Sequence, residues 1–323
     1  MRRKQLKERR ASYVVVLDER GLADDDLRDL ATYLSTVSLS DADVVVLDPS
    51  PRFALERHRR VLRWVARHLT LGNGLDVIRA AMDAAACDKV IVATHDVRYT
   101  LTALEQMMQL LDAHEVVEPQ DYFDPLPWWG GIDAGRILVH RGIEPGPDHG
   151  ATFGFRRSAI RGLRIINESA HDDPVRRLGS RGAEVFAACD VFVRRRPQPL
   201  AEWFDARPRI AGDDFALPIK TAFFFAIVPL LLLLGVLGDA RLAGGYAGVI
   251  AFASVALAVR GRIGAQTFFP LRACFFAPLW VFERSVSVYW ALARKLRGDV
   301  LPMAVPQTSD GQEVRSSKFE VRK

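Results

Sequence analysis

Acids close three short apolar runs near the start of the chain. Asp18 and Glu19 follow "SYVVVL", Asp48 follows "VVVL", and Asp96, preceded by His95, follows "KVIVAT". Carboxylates at such places could be acidic ligands held at the mouth of an active site. The spacing leaves a plainer role open, because Asp is also a common turn and cap residue. Further along, "AHDDP" supplies His171, Asp172 and Asp173, groups of the kind that remove a proton from a hydroxyl. The same stretch also reads as a solvated turn with Asp172 capping a helix. Trp128 and Trp129, ahead of two glycines, offer ring faces to a sugar or a lipid headgroup, or simple packing. Arg156 and Arg157 suit a phosphate or an anionic lipid surface. The run Arg194, Arg195, Arg196 reads as touching lipid phosphates.

Chemistry at these positions requires elements that bring them together. Residues 12–19, 42–50 and 89–94 are β-branched runs, and 115–120 is a further one. Between them, 24–37, 54–69, 74–86 and 100–114 repeat apolar residues at helical spacing. Alternating strands and helices with continuously apolar strands predict a parallel sheet covered on both faces. Sites in such sheets form outside the carboxyl ends of the strands, where these acids stand.

The C-terminal third is different in kind. "TAFFFAIVPLLLLLGVLG" (221–238) and "LAGGYAGVIAFASVALAV" (242–259) are each 18 residues without a charge. Each is about long enough to cross a hydrocarbon core of about 30 Å, so a membrane hairpin is expected. Lys220 before the first span and Arg260 and Arg262 after the second place both flanks on the cytosolic side. The stretch 268–297 is interrupted by charges and carries Trp280, Tyr289 and Trp290, residues favoured at headgroup level, which predicts an interfacial or re-entrant helix, with a third crossing as the alternative. Three widely spaced cysteines fit a reducing compartment and show no metal-ligand spacing. The net charge of +5 matches positively charged membrane flanks, and no nucleic-acid-binding motif accompanies it. The turn after the first strand, "LDERGLADDD", lacks the dinucleotide-binding glycines, and no P-loop is present.

The segments "VVVLDPS", "LGNGLDVIRAAMDAA" and "VIVATHDVRY", in that order, resemble the membrane-bound family-2 glycosyltransferases, whose catalytic domain has the GT-A fold. The stretches 117–142, 149–160, 181–197 and 268–286 resemble one bacterial branch of that family. The resemblance implies a GT-A-like α/β domain over 12–215, between a basic tail at 1–11 and a transmembrane hairpin at 216–262. An interfacial helix at 263–297 and a cytosolic tail at 298–323 complete the expected layout. It implies an enzyme of the plasma membrane, multi-pass and with a cytosolic catalytic domain, moving sugar non-processively from a nucleotide-diphosphate donor to a lipid-linked or membrane-proximal acceptor. A protein partner in a cell-envelope pathway is a further expectation. Asp96 corresponds to the last Asp of Asp-x-Asp and so to the ligand of Mg²⁺ or Mn²⁺. Asp18, Glu19, Asp48, Asn73 and His95 fall on the donor side, and Trp128, Trp129, Arg156 and Arg157 on the acceptor side. The base falls among His171, Asp172 and Asp173. Thr94, Asn73 and Ala170-His171 replace family residues, so a catalytically degenerate GT-A-like scaffold is the alternative expectation.

Overall fold

Valine-rich runs with apolar residues on both faces belong inside a covered sheet. In the computed structural model, which describes residues 9–72, 76–144, 151–162, 174–213, 215, 218–237 and 240–297, the first two such runs are central strands. These are β1 (Ala11–Val16) and β2 (Ala42–Asp48), parallel and in register from Ala11 opposite Ala42 to Val16 opposite Leu47. Between them, α1 (Asp24–Val37) opens on three aspartates, which suit the positive end of a helix dipole. It buries Leu27, Leu30, Leu34 and Val37 on one stripe. The chain continues through α2 (Arg52–Leu62), edge strand β3 (Arg67–Thr70), α3 (Val77–Ala84), β4 (Lys89–Thr94), the short β5 (Val97–Arg98), α4 (Leu101–Ala113) and β6 (Val116–Phe123). There follow α5 (Trp128–Ile143), β7 (Thr152–Arg156), α6 (Arg157–Ile160), α7 (Pro174–Ser180) and β8 (Val185–Arg195).

The eight strands form one sheet in the order β3-β2-β1-β4-β7-β6-β8-β5. The long strands all run one way except β7, which is antiparallel to both β4 and β6. Their carboxyl ends therefore share one edge. Helices cover both faces: Leu27, Leu62 and Leu104 pack on one, Ile78 and Leu178 on the other. Each such fully buried leucine or isoleucine contributes about 1.5–3 kcal/mol of transfer free energy. This is the mixed α/β layout, mostly parallel and covered by helices, that the sequence implies. The periodicity over 54–69 predicts a single helix, but α2 ends at Leu62 and residues 67–70 form β3. Arg67 and His68 are drawn there by Asp43 and Asp48 of β2, at 2.5 and 2.8 Å. Pro119 in β6 has no N–H to give its neighbour. The β6–β8 register breaks next to it, with Ala188 opposite Pro119 but Phe192 opposite Gln120.

The remaining helices are α8 (Leu200–Asp213), α9 (Pro218–Leu237), α10 (Ala240–Gly261) and α11 (Ala277–Leu296), the last preceded by a 3-10 helix at Leu271–Phe276. Ile219–Leu237 and Ala240–Gly261 are long and apolar enough to cross a membrane. The foot of this hairpin is docked on the rest of the protein. Phe224 and Ile227 of α9, and Ile250 and Ala258 of α10, join a core with Ile137 and Leu138 of α5 and Val281 and Val288 of α11. Leu232, Leu233, Val236, Leu242, Val249 and Phe252 lie exposed. Trp280 departs from the headgroup placement expected of it. It is 3% exposed, edge-on to His140 and Phe224. Tyr289 likewise turns inward and donates its hydroxyl to the Phe225 carbonyl at 2.5 Å. Apolar partners on α5 and α9 hold these two aromatics, leaving Trp290 half exposed.

Candidate active site

The shared carboxyl edge carries Asp48 from β2, Thr94 to Asp96 from β4, Asp121 from β6 and Arg195 from β8. Strand direction alone brings them to one side, and what each side chain touches then separates them.

Asp48 is 0% exposed. Its Oδ2 accepts from His58 Nδ1 at 2.9 Å and His68 Nε2 at 2.8 Å, and its Oδ1 accepts from the Ser50 N–H at 3.0 Å. The Leu22 N–H donates to His58 Nε2 at 3.3 Å, so His58 carries its proton on Nδ1 and is neutral. Burial pushes the Asp48 carboxyl up, but the donors from His58, His68 and Ser50 outweigh it and hold the group well below the usual carboxylate range. Ser50 in turn donates its hydroxyl to the Asp18 carbonyl at 3.0 Å. Half-buried Asp18 uses its carboxylate to accept from the Arg20 N–H at 2.7 Å, and Glu19 is exposed. Gly21 closes this turn with φ +81°, a conformation that favours glycine.

Asp96 is held differently. Its Oδ2 accepts from Arg195 Nε at 2.7 Å, and its Oδ1 accepts from the Thr94 hydroxyl. Burial pushes Asp96 up, yet the Arg195 charge, His95 and the Thr94 hydrogen bond bring it below its ordinary value. Half-buried His95 sits in the turn between β4 and β5. Arg195 Nη1 lies 3.6 Å from Asp121 Oδ2, and its guanidinium stands over the Phe123 ring at 5.7 Å. Burial disfavours the Arg195 charge, but Asp96 and Asp121 more than compensate, so it keeps its proton firmly. Asp121 is 5% exposed; its Oδ2 accepts from the Ala151 N–H at 3.0 Å, and its Oδ1 is buried without a partner among the described residues. Burial raises the Asp121 carboxyl, and the lowering effects of Arg195 and the Ala151 N–H do not cancel the rise. A second buried pair supports this wall. Asp133 of α5 takes two hydrogen bonds from Arg207 of α8, at 2.8 and 3.0 Å, and one from Trp203 Nε1 at 2.8 Å.

A cleft of about 370 Å³ opens beside this group. Tyr122, Phe123 and Asp124 at the end of β6 line one side, and Thr267, Phe268 and Arg272, just beyond α10, line the other. Trp128 is half exposed and lies edge-on to Trp129 and Trp203, while Trp129 Nε1 donates to the Gln198 carbonyl at 3.0 Å. Arg156 and Arg157 are not brought to this edge. Arg156 pairs with Lys89 at the opposite end of β4, and Arg157 donates to the Ala85 carbonyl at 2.9 Å. The three arginines read as lipid contacts are ion-paired instead: Arg194 with Asp124, Arg195 with Asp96, and Arg196 with Asp26 and Asp29.

Asn73, His171, Asp172 and Asp173 lie outside the described residues. The residues flanking those two segments do meet: Arg177 of α7 donates to both Asp76 oxygens, at 2.8 and 3.3 Å. Asp76 also caps α3 through the Ile78 N–H at 2.8 Å.

A divalent cation needs open carboxylate oxygens. Each Asp96 oxygen already accepts one hydrogen bond, from a hydroxyl and from a guanidinium whose positive charge a cation would have to displace or oppose. Among the described residues no group of three or more His, Cys, Asp or Glu side chains could hold a metal ion. With Arg195 paired to the one carboxylate and a Thr94 hydroxyl in place of a second, the donor set at Asp96 fits the cation poorly. Sequence reading missed Arg195 and Asp121. Alternation along β8 was the signal for the first, since Val191 and Val193 point inward and Arg195 follows in step.

No family model and no curated protein matches the chain. Among solved structures, it is similar to a mannosyltransferase from Pyrobaculum calidifontis in complex with GDP-Man and Mn²⁺, at 16% identity over 86% of this chain and 87% of that one, with a TM-score of 0.47. It is also similar to glucosyl-3-phosphoglycerate synthase from Mycobacterium tuberculosis, in complex with Mn²⁺, UDP and glucosyl-3-phosphoglycerate. That match has 15% identity over 62% and 77% of the two chains and a TM-score of 0.39. A third likeness is to CMP:2-keto-3-deoxy-manno-octonic acid synthetase complexed with CTP, at 14% identity over 58% and 90% and a TM-score of 0.37.

Proposed function

We propose that the protein is a glycosyltransferase that moves a sugar from a nucleotide-diphosphate donor to a membrane-associated or lipid-linked acceptor at the cytosolic face. One observation carries this reading. The charged pair Asp96–Arg195 stands at the carboxyl edge of the sheet, beside a cleft whose far wall is the chain emerging from the apolar hairpin. A phosphate-bearing donor suits the charged side. A lipid acceptor suits the wall that continues into α10.

The chemistry follows from that arrangement. The bond between the anomeric carbon and the diphosphate oxygen breaks, and its electron pair leaves with the nucleoside diphosphate. The acceptor oxygen bonds to the anomeric carbon and loses its proton to a base, for which His171, Asp172 and Asp173 are the candidates. The Ser50–Asp18 turn, steadied by Asp48, would border the nucleoside, with Glu19 and Asn73 beside it. Trp128 and Trp129 would flank the acceptor.

The test uses the full chain in lipid nanodiscs with radiolabelled UDP- and GDP-sugars and a bacterial lipid extract. Label should pass into the organic phase, and Asp96→Asn should abolish that transfer. No consumption of any donor would remove the enzyme reading. The engaged Asp96 carboxylate favours a second reading, a GT-A-like scaffold that binds nucleoside diphosphate without turnover. It predicts binding in the same preparation with no label transferred.

A further inference from the structure

A transferase of this kind must neutralise charge building on the departing diphosphate. At the sheet edge that positive charge is already present, as a side chain. Arg195 is anchored by a single short hydrogen bond, Nε to Asp96 Oδ2 at 2.7 Å. Its Nη1 is 3.6 Å from Asp121, beyond hydrogen-bond reach, and among the described residues no hydrogen bond engages Nη2. The side chain retains 22% exposure and rests over Phe123, whose ring forms part of the cleft wall. Among the described residues the outer N–H donors of the guanidinium have no hydrogen-bond partner, and they lie next to Phe123 of the cleft wall. A planar fork of this kind matches two phosphate oxygens at once. Arg272 lines that cleft and adds a cation there.

Resting on the transferase reading above, we propose that the Arg195 guanidinium, oriented by Asp96, takes the donor diphosphate in place of a divalent cation. Asp96 is then a positioning residue. It fixes the plane of the arginine through Nε and leaves the Nη edge for the ligand. Thr94 donates to the other Asp96 oxygen, and the Arg195 ion pair already neutralises the one carboxylate present, which leaves little net negative charge to draw in a metal. The replacement of the family's first Asp by Thr94 becomes part of this device, because a hydroxyl there donates to Asp96 where a second carboxylate would repel it.

The experiment titrates UDP and GDP into the full chain by calorimetry, in detergent, with EDTA or with Mn²⁺. The expected result is binding in EDTA that Mn²⁺ does not strengthen. Arg195→Lys, which keeps a charge but loses the fork, should weaken it about tenfold or more. Thermal unfolding of each variant separates loss of binding from loss of fold, and the EDTA arm on the unmodified chain needs no variant. Binding that appears only with Mn²⁺, or that Arg195→Lys leaves unchanged, overturns the role of Arg195 and leaves the transferase reading standing. Absence of binding by either nucleotide under both conditions overturns both.

Discussion

Replacing Asp48 with Asn tests whether this acid is held by its own fold. An Asn amide puts an NH₂ group where one carboxylate oxygen now accepts. Facing the histidines, it would meet two donors, His58 Nδ1 and His68 Nε2; facing the other way, it would meet the Ser50 N–H. The second orientation does less damage. It weakens two charge-assisted hydrogen bonds by about 1 kcal/mol each and leaves the buried Ser50 N–H opposed, at about 1–3 kcal/mol. Relief of the buried charge offsets part of this, leaving a loss of about 2–4 kcal/mol, or roughly 5–15 °C in Tm for a domain of this size. The pH dependence has a definite sign. The folded-state pKa of Asp48 is depressed, so its contribution is present above the ordinary carboxylate value of about 3.9 and is lost as pH falls through the folded value. Thermal unfolding of the full chain in detergent, followed by tryptophan fluorescence, should show the full gap at pH 7 and a narrowing gap below about pH 4. An unchanged Tm at pH 7, or a gap that widens toward acid, would refute the reasoning.

Asp121 has the opposite sign: its carboxyl is raised mainly by burial, so its favourable contribution is complete below the ordinary carboxylate range and is lost as pH rises. Asp121→Asn keeps an acceptor for the Ala151 N–H, and its Tm relative to the unmodified chain should improve as pH rises above the ordinary carboxylate range; a Tm that falls behind as pH rises would contradict this. At the hairpin foot, a Cβ on Gly142 would sit 2.1 Å from the Leu257 carbonyl oxygen, a backbone atom that cannot step aside, so Gly142→Ala should cost about 3 kcal/mol or more. Gly248→Ala, with nothing within 4 Å of the new methyl, should be neutral or stabilising by up to about 1 kcal/mol; equal Tm shifts for the two variants would show that α5 and α10 do not pack as described.

The legible parts of the sequence were those with strong periodicity and little competition. β1, β2 and β4 are unbroken β-branched runs, and α9 and α10 lack a polar face. β3 was hidden because its four residues are mostly exposed and continue the spacing of α2; only the tertiary pull of Asp43 and Asp48 makes them a strand. β6 runs to Phe123, past the end expected at 120, and that extension carries Asp121 to the edge. Arg195 was obscured by its neighbours. Three consecutive arginines read as one basic surface, whereas a strand sends alternate residues to opposite sides. Which acid each arginine meets depends on β8 lying beside β6, a pairing between residues far apart in the chain.

Asp48 and Asp96 present the same local pattern, an acid after a buried strand, and burial pushes both carboxyls up before their partners pull them down. Their partners separate them. His58 uses one ring nitrogen on Asp48 and the other on Leu22, so it has nothing to offer a ligand, while the buried Nδ1 of His68 has no partner among the described residues. Arg195 spends one N–H on Asp96, and among the described residues its outer donors have no hydrogen-bond partner, next to Phe123 of the cleft wall. A satisfied node fixes the shape of the edge, and an unsatisfied donor defines where a ligand can bind. By that criterion the anionic part of a ligand belongs at Arg195, between the acids of the sheet and the chain leading out of the hairpin. Asp48 acts at a distance, by holding Ser50 and through it the Asp18 turn.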